Sequence, residues 1–376
     1  MRSLNILQTC FSRSWGGLEM QALDVAQQLR KRSHNVWLAA PPASHLEEEA
    51  RSAGIETFAP DVAGYFHPSA IFQVARFLRE HRIDLIHSHY SKDLATLSPA
   101  VRLLRSHVPL ILSKRMGSAI SKKDLLHRFA YARVDRVLAI SSVIRQNVID
   151  TTPMQPERVI LLHDAVDTVR FSPASADRIC SRRALGLDSQ ELVVGCVGRF
   201  SQGKGHEELL QAARILADRG NRFRLLIVGK ASYGEKEYEE KIRAMSRQLA
   251  LEKVVVFIGF QRDVPGVLSA LDVFAFPSHA EAFGVALIEA MAMERAVVAT
   301  NSDGVLDIVV DRESGLTVNP RNPGELAAAI ESLLGDERMR LTLGAAGRRR
   351  VLEMFDQQKQ IDRLEGIYEE LAGRGS

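Results

Sequence analysis

The chain has 376 residues, 46% hydrophobic and 25% charged, with a formal net charge of +3. That length is comfortable for two domains, and the balance of apolar and charged residues excludes a disordered polypeptide. No apolar run approaches the ~18 residues that a membrane-spanning helix needs, and an aromatic content of 6% without a reading motif argues against nucleic-acid binding.

The N-terminus enters a strand directly, Ser3-Leu-Asn-Ile-Leu-Gln-Thr9, with no long apolar signal region before it. Trp15-Gly-Gly-Leu-Glu-Met20 then opens a helix through Leu29. Gly16-Gly17 is either an ordinary turn or a glycine turn that brings a helix start close to a ligand. It is not the dinucleotide fingerprint, so a nicotinamide or flavin cofactor is disfavoured. Further strand-like runs follow at Val36–Ala40, Ile55–Phe58, Ile83–His87, Leu110–Ser113, Arg136–Ile140 and Val159–Leu162, with amphipathic segments such as Ser69–Glu80 and Ser142–Val148 between them. Such alternation predicts βαβ units, hence a parallel sheet with helices on both faces.

Pro173 and Ala174–Asp177 form the best linker candidate, after which the pattern restarts. Strands are expected at Leu192–Val197, Phe223–Val228, Val254–Ile258, Asp272–Phe276, Ala296–Thr300 and Gly315–Val318. The sequence therefore predicts two doubly wound Rossmann-like domains facing across a cleft, residues 1–172 and 173–355. The final helix, 356–376, has an apolar stripe of Ile361, Leu364, Ile367, Tyr368 and Leu371, and is expected to pack back on the first domain. Residues 1–172 carry 22 Lys and Arg against 16 Asp and Glu, together with nine of the eleven histidines. This suits either an ordinary solvated surface or contact with an anionic acceptor or membrane. Cys10, Cys180 and Cys196 lack metal-type spacing and read as buried thiols of a reducing cytoplasm.

Two constellations carry chemistry. The loop Gly198-Arg-Phe-Ser-Gln-Gly-Lys-Gly205 follows a strand and precedes the helical run His206–Gly220. It brings Arg199 and Lys204 above the carboxyl end of that strand, where open α/β sheets bind ligands. A forked guanidinium and a point-charge ammonium suit a diphosphate, although two surface cations on a loop is the plainer account of the motif alone. The second constellation is Glu281-Ala-Phe-Gly-Val-Ala-Leu-Ile-Glu289 after the strand ending at Phe276. A helix starting at Glu281 would put Glu289 roughly 12 Å further along its axis and within about 80° of the same face. The amides of Phe283, Gly284 and Val285 would lie between the two carboxylates. A nucleotide sugar matches that spacing, with hydroxyl-bearing rings at its ends and an anionic bridge between them. Glu281 in a first helical turn is also favoured by the helix dipole alone. Glu289, set among Leu287, Ile288, Ala290 and Met291, would be costly without a role.

Together, Gly198-Arg-Phe with Lys204-Gly205 and Glu281-x-Phe-Gly ending at Glu289 resemble the family 4 retaining glycosyltransferases of the GT-B fold. Gly16-Gly17-x-Glu19, Ala165-Val-Asp-x-x-x-Phe171-x-Pro173, Gly304-Val305, Asp307-Ile308-Val309 and Gly315-Leu316 extend the likeness over most of the chain. The resemblance implies transfer of a hexosyl-type unit, with retained configuration, from a nucleotide sugar to a hydroxyl acceptor. A UDP-sugar is the favoured donor, and the acceptor is expected to be a bacterial-type glycan or glycolipid. Arg199, Lys204 and Glu281 would be catalytic. Gly17, Phe283, Gly284, Val285, Glu289 and Gln261 would bind the donor, with Phe260 and Gln261 near the base. No cofactor or metal is implied. On the acceptor side the resemblance points to Gly16 and Arg115, and position at a strand end adds His89.

Some residues depart from the pattern. His163-Asp-Ala-Val-Asp167 replaces the usual Asn-Gly-Val-Asp, and Ala282 replaces a glycine. The place of a customary acceptor-side His falls near Arg115, beside Lys114. Arginine cannot act as a general base, which suits a mechanism in which the leaving diphosphate takes the acceptor's proton. His87 and His89, at the end of another strand, are either cleft-facing functional groups or hydrogen-bonded strand-end histidines. The basic positions Arg102, Arg105, Lys114, Arg115, Lys122, Lys123 and Arg128 read first as solvated helix faces, with peripheral contact to an anionic inner-membrane face as the alternative. The rival functions are a nucleotide-sugar epimerase on the same scaffold and a non-catalytic nucleotide-sugar-binding subunit.

Overall fold

The computed structural model describes residues 2–62, 68–104, 107–232 and 234–373. Arg105, one of the basic positions above, lies outside them. The chain divides into two compact units, the first running to His163 and resuming at Gln360, the second comprising Asp164–Lys359.

The first unit holds β1 (Asn5–Thr9), β2 (Asn35–Ala39), β3 (Glu56–Phe58), β4 (Leu85–Ser88), β5 (Leu110–Lys114), β6 (Arg136–Ala139) and β7 (Val159–Leu161). They form one sheet in the order β3-β2-β1-β4-β5-β6-β7, parallel throughout. The second unit holds β8 (Val193–Val197), β9 (Arg224–Val228), β10 (Val255–Gly259), β11 (Val273–Phe276), β12 (Ala296–Thr300) and β13 (Leu316–Val318). Their order is β10-β9-β8-β11-β12-β13, again all parallel. Apart from β7, the two sheets share one winding. Each starts at a central strand, steps outwards twice, then returns to the other side of that strand. β4, β11 and β12 are buried at every position, as strands covered by helices on both faces must be.

The boundary between the units falls nine residues before the predicted linker at Pro173. Val166 donates to the carbonyl of Phe355 at 2.9 Å and accepts from the amide of Gln357 at 3.0 Å. Arg348 donates to the Phe171 carbonyl at 3.2 Å. Val166 is thus paired through its backbone with Phe355 and Gln357, and Phe171 is held by the Arg348 side chain of the helix Glu337–Met354; a polar sequence at Pro173 gives no sign of it.

The last helix, Gln357–Gly373, places Ile361, Leu364, Tyr368 and Leu371 in the core of the first unit with Leu4, Ile6, Ala22, Ala26 and Leu29. Polar contacts fix its register. His34 accepts from the Leu4 amide through Nδ1 at 3.2 Å, which leaves Nε2–H to donate to Glu365 at 2.9 Å, and Arg32 pairs with the same carboxylate. The Tyr368 hydroxyl, fully buried, lies 2.5 Å from His87 Nδ1 and accepts from Gln8 Nε2 at 3.1 Å. Tyr368→Ala should therefore lower the stability of the first unit by about 3–5 kcal/mol, and Tyr368→Phe by about 1–2 kcal/mol. Urea denaturation of the full chain measures both; an unchanged midpoint for the alanine variant would deny the helix its part in this core.

Candidate active site

β8 and β11 are neighbours in the second sheet, yet the crossovers that follow them leave in opposite directions, and at that switch point a parallel sheet opens for a ligand. The loop after β8 is Gly198–Gly205, and the segment after β11 runs from Pro277 to Gly284. Three contacts stitch them together. His279 N–H donates to the Gly203 carbonyl at 2.8 Å. Gly205, with φ of +74°, lies so close to Pro277 that a Cβ would come within 2.0 Å of its carbonyl oxygen, so no other residue fits. Lys204 Nζ donates to a Glu281 carboxylate oxygen, with both side chains partly exposed. From below, Gly304 N–H donates to the Glu281 carbonyl at 2.9 Å.

The helix in this region begins at Val285, not at Glu281. Gly284 takes φ of +129° beneath Phe276 and Ile308, a conformation that ends the preceding loop and starts the helix. Glu281 thus owes its position to the loop and to Lys204, not to a first helical turn. The Phe283 ring is core, 2% exposed and edge-on to Phe355 with centroids 5.5 Å apart. Only its backbone is suited to a ligand. Val285 begins the helix Val285–Ala292, whose first-turn amides have no partners within it.

Glu289 is on that helix between Leu287, Ile288, Ala290 and Met291, all fully buried. Desolvation pushes its carboxyl up to about 7, with Arg170 the cation that opposes the rise. Arg199 is not part of the Lys204–Glu281 contact. It is more than half exposed, 3.5 Å from Ser232 Oγ and 3.6 Å from Glu235. Gln261 donates to the Ile258 carbonyl at 3.3 Å, and beside it the exposed Phe260 ring carries Lys230 Nζ at 5.2 Å from its centroid.

One group the sequence did not single out is His279. It lies 2.9 Å from Glu208 and receives Arg321 Nε on Nδ1 at 3.4 Å. A histidine three residues past the end of β11, in a segment already marked by Glu281, was the available signal.

The same switch point in the first unit lies between β1 and β4. Helix Gly17–Lys31 starts there without a side-chain cap, and a Cβ on Gly17 would meet nothing within 4 Å. Asp93, fully buried, ties the two strand ends together by accepting from Thr9 Oγ1 at 2.9 Å, Ser88 Oγ at 3.3 Å and the Phe11 amide at 3.2 Å. Desolvation still raises its carboxyl to about 7.

His87 is the hydrogen-bonded strand-end histidine, with Nδ1 on Tyr368 and Nε2 on Ser113 Oγ at 2.7 Å. Burial, with help from the Arg115 charge, lowers its pKa to about 3. His89 is also buried, with Nε2 on Gln8 Oε1 at 2.6 Å, so that nitrogen carries the proton, while Nδ1 has no partner. Burial first, then His87 and Arg115, hold it neutral. Lys114 donates to Ser91 Oγ at 3.2 Å, and burial lowers its ammonium to about 8. Of the three cysteines, Cys10 and Cys196 are buried thiols; Cys180 is exposed on the helix Arg178–Ala184, contrary to expectation. Among the described residues no cluster of His, Cys, Asp and Glu is arranged to hold a metal ion.

Residues 15–170 match the family model described as glycosyltransferase family 4, and residues 177–350 the model described as glycosyl transferases group 1. The capsular polysaccharide biosynthesis glycosyltransferase CapM of Staphylococcus aureus is 30% identical over 65% of this chain and 64% of its own length. A D-inositol 3-phosphate glycosyltransferase of Salinispora arenicola is 30% identical over 76% of this chain and 68% of its own. An alpha-maltose-1-phosphate synthase of Mycolicibacterium smegmatis is 30% identical over 69% of each chain. Among solved structures, a glycosyltransferase from Rickettsia africae aligns over 99% of both chains with a TM-score of 0.88 at 19% identity. HepE of Anabaena, in complex with UDP, aligns over 98% of this chain and 100% of its own, with a TM-score of 0.86 at 22% identity.

Glu289 generates a pH prediction. Its folded pKa of about 7 is above the ordinary 4.5, so between those values the folded chain keeps a proton that the unfolded chain releases. Stability must fall as pH rises through that window and level off above it. Asp93 contributes with the same sign in any variant that retains it. Glu289→Gln should match the wild type near pH 5 and exceed it by about 2 kcal/mol near pH 8. Urea titrations at the two pH values check this; a constant difference between the proteins would refute it.

Proposed function

The chain belongs to glycosyltransferase family 4, of the GT-B fold, and on that premise we propose that it moves a hexosyl unit from a UDP-sugar to a hydroxyl of a glycan or glycolipid, with retention of configuration. The observation that carries this reading is the Lys204–Glu281 pair, held at the carboxyl ends of β8 and β11 by the glycine loop. A cation and a carboxylate side by side suit a ligand that is anionic in one part and rich in hydroxyls in the next.

In this reading Lys204 takes the donor diphosphate, and Arg199, on a loose exposed arm, swings in from Ser232 and Glu235 to share its charge. Both offset the charge that grows as the diphosphate leaves. Glu281 accepts from sugar hydroxyls. The amides of Phe283, Gly284 and Val285 face the phosphate or sugar at the helix start. Glu289 accepts from the ribose, and the backbone near Phe260 and Gln261 meets the base. UDP is favoured because HepE, of similar fold, was solved with UDP and with UDP-glucose.

On the acceptor side, Gly17 leaves room for close approach and Gly16 precedes it in the turn. Arg115 and His89 contact or orient the incoming hydroxyl. His89 offers a bare Nδ1 lone pair, and its pKa far below the usual value keeps it neutral. An always-charged Arg115 cannot take the proton, so the leaving diphosphate does. The glycan-assembly role follows from relatives such as CapM. No helix among the described residues is long and apolar enough to cross a membrane. Free thiols at Cys10, Cys180 and Cys196 support a reducing cytoplasm as the working compartment.

A panel of nucleotide sugars, scored by nucleoside diphosphate release with and without acceptor, tests the donor, and the anomeric configuration of the product tests retention. Isomerised donor without transfer would instead support an epimerase. Lys204→Ala should lower kcat by about two to three orders of magnitude with an unchanged melting temperature; full activity would remove the diphosphate role. Glu281→Gln should depress transfer far more than binding of free UDP, because it releases Lys204 from its internal partner. Equal losses in both would place Glu281 elsewhere.

A further inference from the structure

We propose that His279 and Glu208 form a positioning pair that sets the Lys204–Glu281 contact, so that His279 acts on transfer through Glu281 and not by touching the donor. This rests on the donor reading of Lys204 and Glu281 given above. In sequence His279 stands two residues before Glu281, and Glu208 four residues after Lys204. The fold joins them twice over. The backbone N–H of His279 donates to the Gly203 carbonyl at 2.8 Å, one residue before Lys204. Its ring reaches past Lys204 in the other direction, to Glu208 Oε1 at 2.9 Å in the first turn of the helix His206–Asp218. One residue thus grips the glycine loop on both sides of Lys204. Two attachment points restrain the rotation of the segments as well as their separation, which the backbone bond alone cannot do.

The ring is oriented from its other edge. Arg321 Nε donates to Nδ1 at 3.4 Å. A guanidinium has only donors, so Nδ1 presents its lone pair and Nε2 carries the ring proton towards the carboxylate. Arg321 is itself held by left-handed backbone, with φ of +60°, directly before Asn322, whose side chain caps the helix Pro323–Gly335. The Nε2–H is off the line of a hydrogen bond, so its contact with Glu208 is electrostatic.

The helix dipole favours an acidic residue in a first turn whether or not it has a task. Glu207 shows that ordinary form, accepting from the Tyr238 hydroxyl at 2.5 Å and from Lys241 at 3.1 Å. Glu208 differs. Its side chain is 14% exposed, its Oε2 is buried without a hydrogen-bond partner, and among the described residues His279 is its only ion-pair partner. A carboxylate placed in this way is a cost to the fold. What it holds in return is the ring two residues from Glu281.

The test joins kinetics with hydrogen exchange on the full-length protein. His279→Ala should lower kcat for transfer by roughly ten- to a hundred-fold, the scale of a misplacement of about 1 Å, while the Kd of free UDP changes by less than about threefold. His279→Gln, whose amide can still donate to Glu208, should recover most of that kcat. Glu208→Ala should match His279→Ala, and the double variant should lose no more than either alone, as residues acting through one contact do. Exchange of the amides in residues 277–284 should speed up by about tenfold or more in both single variants, at an unchanged melting temperature. Full kcat in His279→Ala, losses that multiply in the double variant, equal losses of UDP binding and kcat, or unchanged exchange would each overturn the proposal. Exchange needs no turnover. A chain inert towards every nucleotide sugar would refute the donor reading, and exchange would still decide whether the pair holds the loop.

Discussion

Parallel strands cannot be joined by tight turns. Each needs a crossover, and right-handed crossovers place helices on one face of the sheet while the winding runs one way and on the other face once it reverses. In both units the central strand therefore has neighbours reached in opposite directions, and the loops leaving β8 and β11 part company at their carboxyl ends. Everything in the candidate site follows from that divergence. The gap it leaves is bridged by contacts between loops, among them the Gly203–His279 hydrogen bond, the Gly205–Pro277 contact and the Lys204–Glu281 pair. In the first unit Asp93 does the corresponding work between β1 and β4 with a buried carboxylate instead of glycine packing.

The fold was legible in the sequence because a buried parallel strand leaves a plain trace. Val193–Val197 and Ala296–Thr300 are uninterrupted apolar or small runs, and each strand reads as such within about two residues of its observed ends. The helix at Gln357–Gly373 was legible through its stripe, though its hydrogen bonds to His87 and Gln8 were not, since they join residues about 280 and 360 positions apart. The start of the helix before Glu289 was misread because Gly284 takes φ of +129° just before Val285, a break that no local hydrophobic pattern reveals. The division between the units falls nine residues before the expected one for a similar reason. A polar stretch at Pro173 signals a loop equally well whether it bridges two bodies or lies within one.

Within the candidate site, the motifs pointed to two loops that the structure joins, but not to the contacts each side chain makes. Lys204 and Glu281 meet, whereas Arg199, from the same loop as Lys204, turns towards Ser232 and Glu235. His87 and His89 look equivalent in sequence, being alternate residues at one strand end. The structure separates them. Both nitrogens of His87 are engaged by Tyr368 and Ser113, while His89 keeps one without a partner. Alternate positions along an extended chain share a face, so the difference comes from what lies across that face and not from the strand.

The Lys204–Glu281 pair also bears on discrimination among ligands. Both side chains are partly withdrawn from water, so separating them leaves each short of a counter-charge, and restoring the balance takes two kinds of group at once. If Lys204 takes the diphosphate and Glu281 the sugar, as proposed above, a bare nucleoside diphosphate would satisfy Lys204 and strand Glu281, and a free sugar would offer nothing to the ammonium. Only a molecule with phosphate and hydroxyls in adjoining parts would then replace both partners without an uncompensated charge. Selectivity of this kind comes from the penalty attached to incomplete ligands as much as from attraction to the complete one. On that reading it would be set by the Lys204–Glu281 contact, between two loops that the sheet's winding sends in opposite directions.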